Sequence, residues 1–517
     1  MLTASFPPGN LGWLAWIAFI PLLKAIETES LSESFRLGFV AGLANYLTLI
    51  YWLALVFKGY GGLNIILSLS ILVLICFYFA IYPAVFSLLS HYLKNSPYRI
   101  LGTAGIWITL EFLRGKLFTG LPWCLLGYSQ FEELSLIQIS DLVGVYGISF
   151  IIMAVNILLY IILSRSLRYT FRHHKIEILI TVLILVSAFI YGEKRIAEYN
   201  RENKAQKTVK IAVIQGNIDQ AVKWDLEYQE DTLNLYHRLT SSTYDFTPDL
   251  IIWPETAAPF FFQDGTEHSR KIMDIAKESS AHTIFGSPAY KLMQDGTNYY
   301  NRVYLVSPDG FVTDYYDKVH LVPFGEYVPL KAFIPFIRIL AQAAGDFVPG
   351  EKIAPVKVPD LSAGVLICYE AIFPELSRIQ VQKGSEILVN VTNDAWFGMT
   401  SAPYHHLAMT VFRAVENKRH LIRSANTGFS AFIRPDGSMI SHGGLFTEEV
   451  LMHEVKISNL SLTFYSRYGD IFIYTVSIIS LIFFLKLLFY HLFKKNNRET
   501  VGPLQNLEST ISSIEFH

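Results

Sequence analysis

Three side chains in this 517-residue sequence could together carry out an acyl transfer. Cys368 ends the apolar run Gly-Val-Leu-Ile-Cys, Glu255 ends Leu-Ile-Ile-Trp-Pro-Glu, and Lys318 lies in Tyr-Tyr-Asp-Lys-Val-His. A thiol attacks well only after losing its proton, and a nearby carboxylate can act as the base that removes it. An ammonium can hold the charge that develops on the attacked carbonyl oxygen, and one such donor typically lowers the barrier by about 2.7 to 4 kcal/mol.

Each of these residues also has an ordinary structural interpretation when it is taken alone. A cysteine after an apolar strand is most often a small buried hydrophobic residue, and a single lysine most often lies on a solvated face. A carboxylate after Trp-Pro is most often a turn residue. Spacing alone does not show that the three side chains meet, so the catalytic interpretation depends on the elements that position them.

The region around these residues has the pattern of an α/β domain. Pro-Asp-Gly sequences at 308–310 and 435–437 predict hairpin turns, so the sheet should be mixed rather than purely parallel. The candidate residues stand at or just beyond strand-like or turn-flanked segments, where α/β sites collect. We expect this domain to span residues 208–456. Runs of β-branched and aromatic residues predict its strands at Val209–Gln215, Asp249–Trp253, Thr283–Gly286, Arg302–Val306, Gly364–Ile367, Glu386–Val391 and Gly428–Arg434.

The chain as a whole is too apolar for an ordinary soluble protein, since 52% of its residues are hydrophobic and the mean hydropathy is +0.34. Part of it is therefore expected to lie in lipid. A helix of about 20 apolar residues can cross a bilayer because it satisfies its own backbone hydrogen bonds. We predict about six spans within residues 1–192, a polar linker at 193–207, a closing span at 470–493 and a cytoplasmic tail at 494–517. The predicted spans are Leu11–Leu23, Leu37–Phe57, Leu63–Leu89, Ile100–Leu113, Leu142–Leu163, Ile176–Tyr191 and Ile471–Phe493.

The basic residues between the predicted spans indicate an orientation. Lys and Arg cluster at 94–99, 165–175 and 494–498, and cytoplasmic loops carry the excess of these residues. Strict alternation of the spans then places the α/β domain on the outer side, which in a bacterium is the periplasm.

Charge and cysteine content exclude several classes of protein. A net charge of -2 offers no general basic surface for nucleic acid. His320, His405 and His406 lack metal-ligand spacing, so we expect them in packing or polar networks, and no metal or diffusible cofactor is expected. The chain has three cysteines, Cys76, Cys124 and Cys368. They form no CxxC pair, which argues against a zinc site and against a disulfide framework.

Around the candidate residues the sequence resembles the nitrilase or carbon-nitrogen hydrolase superfamily, whose Glu, Lys and Cys triad matches Glu255, Lys318 and Cys368 in order and context. Within it the resemblance is to the apolipoprotein N-acyltransferase family, and it covers almost the whole chain. It implies a polytopic α-helical membrane domain joined to an αββα sandwich, with Glu255 as general base, Lys318 as oxyanion stabiliser and Cys368 as nucleophile. The matching motifs are the helical N-terminal half, Trp-Pro-Glu-Thr, Lys-Val-His-Leu-Val-Pro-Phe-Gly-Glu-Tyr-Val-Pro, Ile-Cys-Tyr-Glu, Asn-Asp-Ala-Trp-Phe-Gly and the closing span.

The resemblance also implies residues around the triad. Trp224, in Val-Lys-Trp-Asp, matches another family position, and we expect Trp224, Trp396 and Phe397 to contact substrate. The apolar segments Leu330–Phe347 and Trp396–Phe397 are either ordinary core or lipid-facing arms. Family members usually have eight spans, so this chain is expected to begin where the second would start. Three supporting active-site residues are implied: Glu326, Tyr369 and Glu370.

The implied reaction is a two-step exchange at Cys368. A membrane phospholipid, with phosphatidylethanolamine as the expected donor, acylates the thiol, and the α-amine of a diacylglyceryl-cysteine apolipoprotein then takes the chain as an amide. The implied setting is the bacterial inner membrane, with a monomer whose catalytic domain faces the periplasm. One alternative is a membrane-tethered nitrilase-type amidase that hydrolyses its thioester with water. Another is a non-catalytic lipid-binding protein with a decayed domain, against which the intact triad argues.

Overall fold

The structure is a computed structural model that describes residues 1–27, 29–201, 207–294, 296–328, 346–457 and 461–486. The apolar segment Leu330–Phe347 lies outside the described residues except for Asp346 and Phe347, and the predicted tail 494–517 lies outside them entirely.

The N-terminal part of the chain is helical. Short 3-10 turns occur at Thr3–Ser5, Gly12–Trp16, Leu117–Thr119 and Leu126–Gln130. Its α-helices are α1 (Ile20–Glu27), α2 (Leu31–Leu49), α3 (Trp52–Gly59), α4 (Ile65–Leu93), α5 (Arg99–Arg114), α6 (Leu134–Ile137), α7 (Ser140–Ser164) and α8 (Leu167–Arg201).

Three of the described helices, α4, α7 and α8, are long and apolar enough to cross a membrane, and α2 with α3 gives a fourth candidate if this pair, bent by 52°, is one span. This number is smaller than the six predicted for residues 1–192. The predicted span at 11–23 instead forms a 3-10 turn and the start of the eight-residue α1. Pro21 lies in the first turn of α1, where proline is tolerated. Helix α5 has 16 residues, about 24 Å of helix, and is shorter than the hydrocarbon core of roughly 30 Å.

Among the described residues, twelve strands form two six-stranded sheets, in the orders β12-β1-β2-β3-β4-β5 and β11-β10-β9-β8-β7-β6. Helix α8 runs to Arg201, so much of the predicted linker 193–207 is helical, and β1 begins at Lys207. The strands are β1 (Lys207–Gln215), β2 (Leu250–Ile252), β3 (His282–Met293), β4 (Gly296–Val306), β5 (Val312–Asp317), β6 (Val356–Val358), β7 (Leu361–Ile367), β8 (Ile387–Thr392), β9 (His420–Ala425), β10 (Ala431–Ile433), β11 (Met439–His442) and β12 (Glu449–Ile457).

Both sheets are mixed, as the sequence predicts. In each, three central strands are parallel, β1-β2-β3 and β7-β8-β9, while the outer strands pair antiparallel. The two Pro-Asp-Gly sequences join β4 to β5 and β10 to β11 as hairpins. Parallel central strands bring several carboxyl ends to one edge of each sheet, which is where a site can form.

The two sheets pack face to face between helical layers. Ile211 of β1 shares one buried cluster with Val365 and Val389 of the second sheet, whereas the next residue, Ala212, lies in a cluster with the helices behind the first sheet. The predicted αββα sandwich is therefore confirmed. Its helices are α9 (Leu226–Ser241) and α10 (Glu267–Ser279) behind the first sheet, with α11 (Pro374–Gln382) and α12 (Ala402–Asn417) behind the second.

The helical layer of the second sheet is continuous with the core of the N-terminal helices. Phe412 of α12 packs against Tyr128, with ring centroids 4.9 Å apart and one shared buried cluster around them. Lys116, after α5, forms an ion pair with Glu375 at the start of α11. The chain then returns through α13 (Phe464–Tyr468) to α14 (Ile471–Lys486), an apolar helix of 16 described residues. The sandwich is thus fixed to the helical part over an extended contact.

Candidate active site

The three predicted catalytic residues each follow the carboxyl end of a strand. Glu255 lies three residues after β2, while Lys318 and Cys368 directly follow β5 and β7. The Lys318 ammonium nitrogen is 3.6 Å from Glu255 Oε1, and the charges of both groups act on the Cys368 thiol. The structure therefore brings the three side chains together in the space between the two sheets.

The turn that carries Glu255 depends on a glycine in the neighbouring strand. A Cβ on Gly286 of β3 would lie 2.3 Å from the Thr256 nitrogen and 2.8 Å from the Glu255 Cα. Because such distances are impossible for a real side chain, only glycine lets the turn lie this close to β3.

Lys318 is a buried ammonium held between two carboxylates. Its Nζ donates to Glu326 Oε1 at 2.8 Å and lies 3.6 Å from Glu255 Oε1. Burial alone would lower the pKa of Lys318, but the charges of Glu326 and Glu255 outweigh it and raise the pKa above its ordinary range. The group is therefore charged at neutral pH, as oxyanion stabilisation requires.

Uncharged donors complete the orientation of the two carboxylates. Asn301 Nδ2, on β4, donates to Glu255 Oε1 and to Glu326 Oε1, both at 2.8 Å. The Asn393 backbone N–H donates to the other oxygen of Glu255, also at 2.8 Å. Both Glu255 oxygens thus accept hydrogen bonds that fix the orientation of the carboxylate. A general base needs such an orientation to face its proton donor.

Cys368 is held in a strained conformation. Its φ of 52° lies in the left-handed region, which is uncommon for residues other than glycine. His406 Nε2 donates to the Cys368 carbonyl oxygen at 3.2 Å, since that oxygen can only accept. Burial and the charge of Glu255 raise the pKa of the thiol despite the opposing Lys318 charge. The resting group is therefore the thiol, which needs a base at the moment of attack.

Glu370 connects the loops that carry Lys318 and Cys368. Its carboxylate accepts from the backbone N–H groups of Val319 at 2.7 Å, His320 at 3.1 Å and Ile367 at 2.7 Å, and from the Tyr316 hydroxyl. Burial raises the pKa of Glu370 to about 7. One buried carboxylate therefore fixes the spacing between the ammonium loop and the nucleophile.

Two other predicted residues have surroundings of different kinds. The Tyr369 hydroxyl donates to the Gly120 carbonyl oxygen at 3.2 Å, so this side chain contacts the helical part. Trp224 is about half exposed on the loop between β1 and α9.

Trp396 and Phe397 also contact the helical part. The Trp396 ring lies 4.7 Å from Tyr60, and the Phe397 ring lies 5.0 Å from Trp52. The Tyr60 hydroxyl donates to the Ala395 carbonyl oxygen at 2.9 Å. These two side chains pack between α3 and the loop after β8, so among the described residues they are partly core.

The sequence patterns did not identify several residues that shape the site. Asn393 and Asp394 belong to the Asn-Asp-Ala-Trp-Phe-Gly motif that directly follows β8. Polar residues at the end of a strand were therefore a signal that could have identified them. Asn301 lies inside β4 and has no such signal. Asp394 binds Arg423 and His406 in a buried network directly behind Cys368.

Two family models match the chain. The model described as Apolipoprotein N-acyltransferase N-terminal domain matches residues 1–158, and the model described as Carbon-nitrogen hydrolase matches residues 210–464. The first covers most of the helical part, and the second covers the sandwich with all three predicted catalytic residues.

Curated relatives match over nearly their whole length. The apolipoprotein N-acyltransferase of Geobacter metallireducens is 43% identical over 475 residues, covering 91% of this chain and 90% of the relative. That of Pasteurella multocida is 31% identical over 489 residues, covering 92% of each. Among solved structures, Saccharomyces cerevisiae Nit3, a member of branch 10 of the nitrilase superfamily, is 19% identical with a TM-score of 0.38, covering 49% of this chain and 91% of Nit3. This chain is therefore a membrane acyltransferase that belongs to the apolipoprotein N-acyltransferase family.

Proposed function

We propose that this enzyme takes an acyl chain from a membrane phospholipid, with phosphatidylethanolamine as the expected donor, and transfers it through a Cys368 thioester to the α-amine of a diacylglyceryl-cysteine apolipoprotein. The observation that supports this most is the meeting of a thiol, a carboxylate and an ammonium, with 3.6 Å between Lys318 Nζ and Glu255 Oε1. Fixation of this site against membrane-length helices gives access to lipid substrates.

In the first half-reaction, Glu255 accepts the thiol proton while the Cys368 sulfur attacks the ester carbonyl of the phospholipid. The oxyanion forms beside the Lys318 ammonium, which is buried and so acts at low dielectric. The carbon–oxygen bond then breaks, and Glu255 returns its proton to the glycerol oxygen. The products are a thioester on Cys368 and a lysophospholipid.

In the second half-reaction, the neutral α-amine of the acceptor attacks the thioester carbonyl. Glu255 accepts a proton from the nitrogen, Lys318 again holds the oxyanion, and the carbon–sulfur bond breaks. The proton passes to the departing sulfur, which restores the thiol. The same carboxylate therefore serves as base and acid in both halves.

The proposed setting is the bacterial inner membrane, with the sandwich on the periplasmic side. Two observations support this orientation. Lys94 follows α4 and Arg99 begins α5, while Arg165 lies between α7 and α8 and Arg168 lies in the first turn of α8. Short basic segments of this kind remain in the cytoplasm, and the proposed orientation takes α5 as a span that returns the chain across the bilayer between the two.

Product analysis tests the proposed reaction. Purified enzyme would receive a phospholipid with a labelled acyl chain and a synthetic diacylglyceryl-cysteine peptide with a free amine. We expect the label on the peptide in a bond that resists hydroxylamine, as an amide does. Release of the label as free fatty acid, with none on the peptide, would instead identify a hydrolase.

A further inference from the structure

A second buried lysine lies beside Glu255. The Lys223 side chain is 1% exposed, and its Nζ donates to the Glu255 backbone carbonyl oxygen at 3.3 Å. A buried ammonium is costly unless an opposite charge compensates it. The carboxylate that acts on Lys223 electrostatically is that of Glu255 itself.

The loop that carries Lys223 reaches Glu255 by two routes. Gln220 Oε1 accepts from Asn393 Nδ2 at 2.6 Å, and the Asn393 backbone N–H donates to Glu255 Oε2 at 2.8 Å. The start of the loop is anchored too, because the Ile218 N–H donates to Asn426 Oδ1 at 2.9 Å. One route thus ends on the carboxylate, and the route through Lys223 ends on the backbone of the same residue.

The turn that carries Glu255 needs such support. Thr256 has a φ of 51°, a conformation that is costly for a β-branched residue. Its backbone anchors are a Gly286 N–H donation to the Pro254 oxygen at 3.2 Å and an Ala258 N–H donation to the Gly286 oxygen at 3.0 Å. Lys223 adds a charged donor between these two contacts.

We propose that Lys223 is a positioning residue for the general base, which holds the Glu255 turn and whose charge favours the ionised carboxylate. The proposal rests on the proposed role of Glu255. The other ionisable groups that face this carboxylate are the Lys318 ammonium, the Cys368 thiol and Glu326, which shares the Asn301 amide with it. Glu255 is thus influenced by two buried cations, Lys318 and Lys223.

The charge of Lys223 is available at neutral pH. Burial lowers the pKa of Lys223 to about 8, although the Glu255 charge opposes this effect. The pKa remains above neutrality, so most of the enzyme holds a charged ammonium there. Trp224, which follows Lys223 directly, is about half exposed, so the same short loop has one side chain facing outward and one against the base.

The test compares pH profiles of thioester formation on Cys368 in full-length enzyme with a labelled phospholipid. K223Q keeps a hydrogen-bond donor but removes the charge. Loss of one cation favours the protonated carboxyl of Glu255. The acid limb of the profile is its low-pH side, where the rate of thioester formation falls as the pH is lowered, and we expect it to lie about one pH unit higher in K223Q than in wild type. K223M removes the donor as well, and we expect the same displacement with a further loss of roughly tenfold in rate.

Lys418 provides a matched control. It is also buried with a pKa lowered to about 8, but its Nζ donates to Gln138 and lies 3.7 Å from Asp141, away from Glu255. K418M should therefore keep the wild-type acid limb. If K223Q does not fold, K223R is measured instead, and it should keep the wild-type limb because it keeps the charge.

An acid limb of K223Q that coincides with wild type would overturn the proposal, whether the rate is unchanged or uniformly lower. A displaced limb in K223R would do so too. Failure of wild-type enzyme to form any thioester is a different result, because it would refute the proposed function before Lys223 is considered.

Discussion

At the scale of single residues, the buried ammonium of the site stays charged because carboxylates lie close to it. Lys318 faces Glu326 at 2.8 Å and Glu255 at 3.6 Å, while the Cys368 thiol lies where burial and a carboxylate both disfavour the thiolate. An enzyme with this arrangement does not store a reactive thiolate between turnovers. It generates the nucleophile only when an electrophilic carbonyl is present and Glu255 can accept the proton.

This arrangement predicts opposite effects of E255Q on alkylation and on catalysis. Removing the negative charge lowers the pKa of the Cys368 thiol, so the pH at which iodoacetamide alkylates Cys368 half-maximally should fall. Acyl transfer should nevertheless drop by roughly a hundredfold or more, because the base is lost. Peptide mass mapping after timed alkylation measures the first effect. An alkylation midpoint that stays in place or rises would contradict the electrostatic role of Glu255.

The Lys318 ammonium should be needed for the acylation step itself. In K318A the oxyanion loses its charged donor, and we expect thioester formation to slow by roughly a hundredfold or more. The rate of label incorporation on Cys368 from a labelled phospholipid measures this step. K291M, which alters an exposed lysine near the end of β3, is the control and should acylate at the wild-type rate. Normal acylation in K318A would show that the assigned role is wrong.

At the scale of elements, the nucleophile depends on a buried network between β8, β9 and α12. Asp394 accepts from Arg423 at 2.6 Å, and the His406 ring lies between this carboxylate, 3.1 Å from Nδ1, and the Cys368 carbonyl, to which Nε2 donates. Burial would raise the pKa of Asp394, but Arg423 and His406 hold it well below its usual range. Its stabilising charge is therefore present throughout neutral pH and is lost only in strong acid.

The variant D394N should unfold more easily than wild type. It leaves the fully buried Arg423 without its counter-charge, and breaking a buried pair in this way typically costs about 3–5 kcal/mol. Thermal unfolding at neutral pH measures the loss, with D274N as the control because Asp274 forms an exposed pair with Lys277. An unchanged melting temperature in D394N would mean that this network does not support the nucleophile loop.

The sequence patterns predict the strand ends better than the strand interiors. Glu255 and Cys368 could be located because β2 and the last four residues of β7, Gly364–Ile367, are apolar runs with clear ends. Strand β9 was not predicted, since Arg423 interrupts its apolar pattern and only the tertiary network explains a buried arginine there. Asn301 could not be recognised either, because its role comes from the register of β4 with β5. The 3-10 turn and the short helix α1, which occupy the predicted span at 11–23, could not be recognised for the same reason, because tertiary packing determines them.

At the scale of the whole molecule, apolar surface and catalytic loops are arranged together. Helices α4 and α8 expose large apolar side chains such as Leu74 and Leu179, surface that a bilayer would cover. The loop after β8 is bound to the same helical part through Tyr60 and Trp52. A site fixed in this way can receive substrates that do not leave the membrane.

The proposed orientation predicts which surfaces an impermeant maleimide can reach in cells with a permeabilised outer membrane. K291C, on the sandwich, should react in intact cells, whereas R172C, on α8 within the basic cluster, should react only after lysis. The three native cysteines are buried, so the unmodified chain gives the background. Labelling of R172C before lysis and of K291C only after it would reverse the orientation.

The most direct test of the whole account is a search for the covalent intermediate. Purified enzyme is incubated with a phospholipid that has a labelled acyl chain, without acceptor, and its peptides are mapped by mass. We predict one hydroxylamine-labile acyl group on the Cys368 peptide of the wild type and none on that of C368A, which should remain folded. Transfer to an acceptor by C368A, or an acyl group on another residue, would contradict the account.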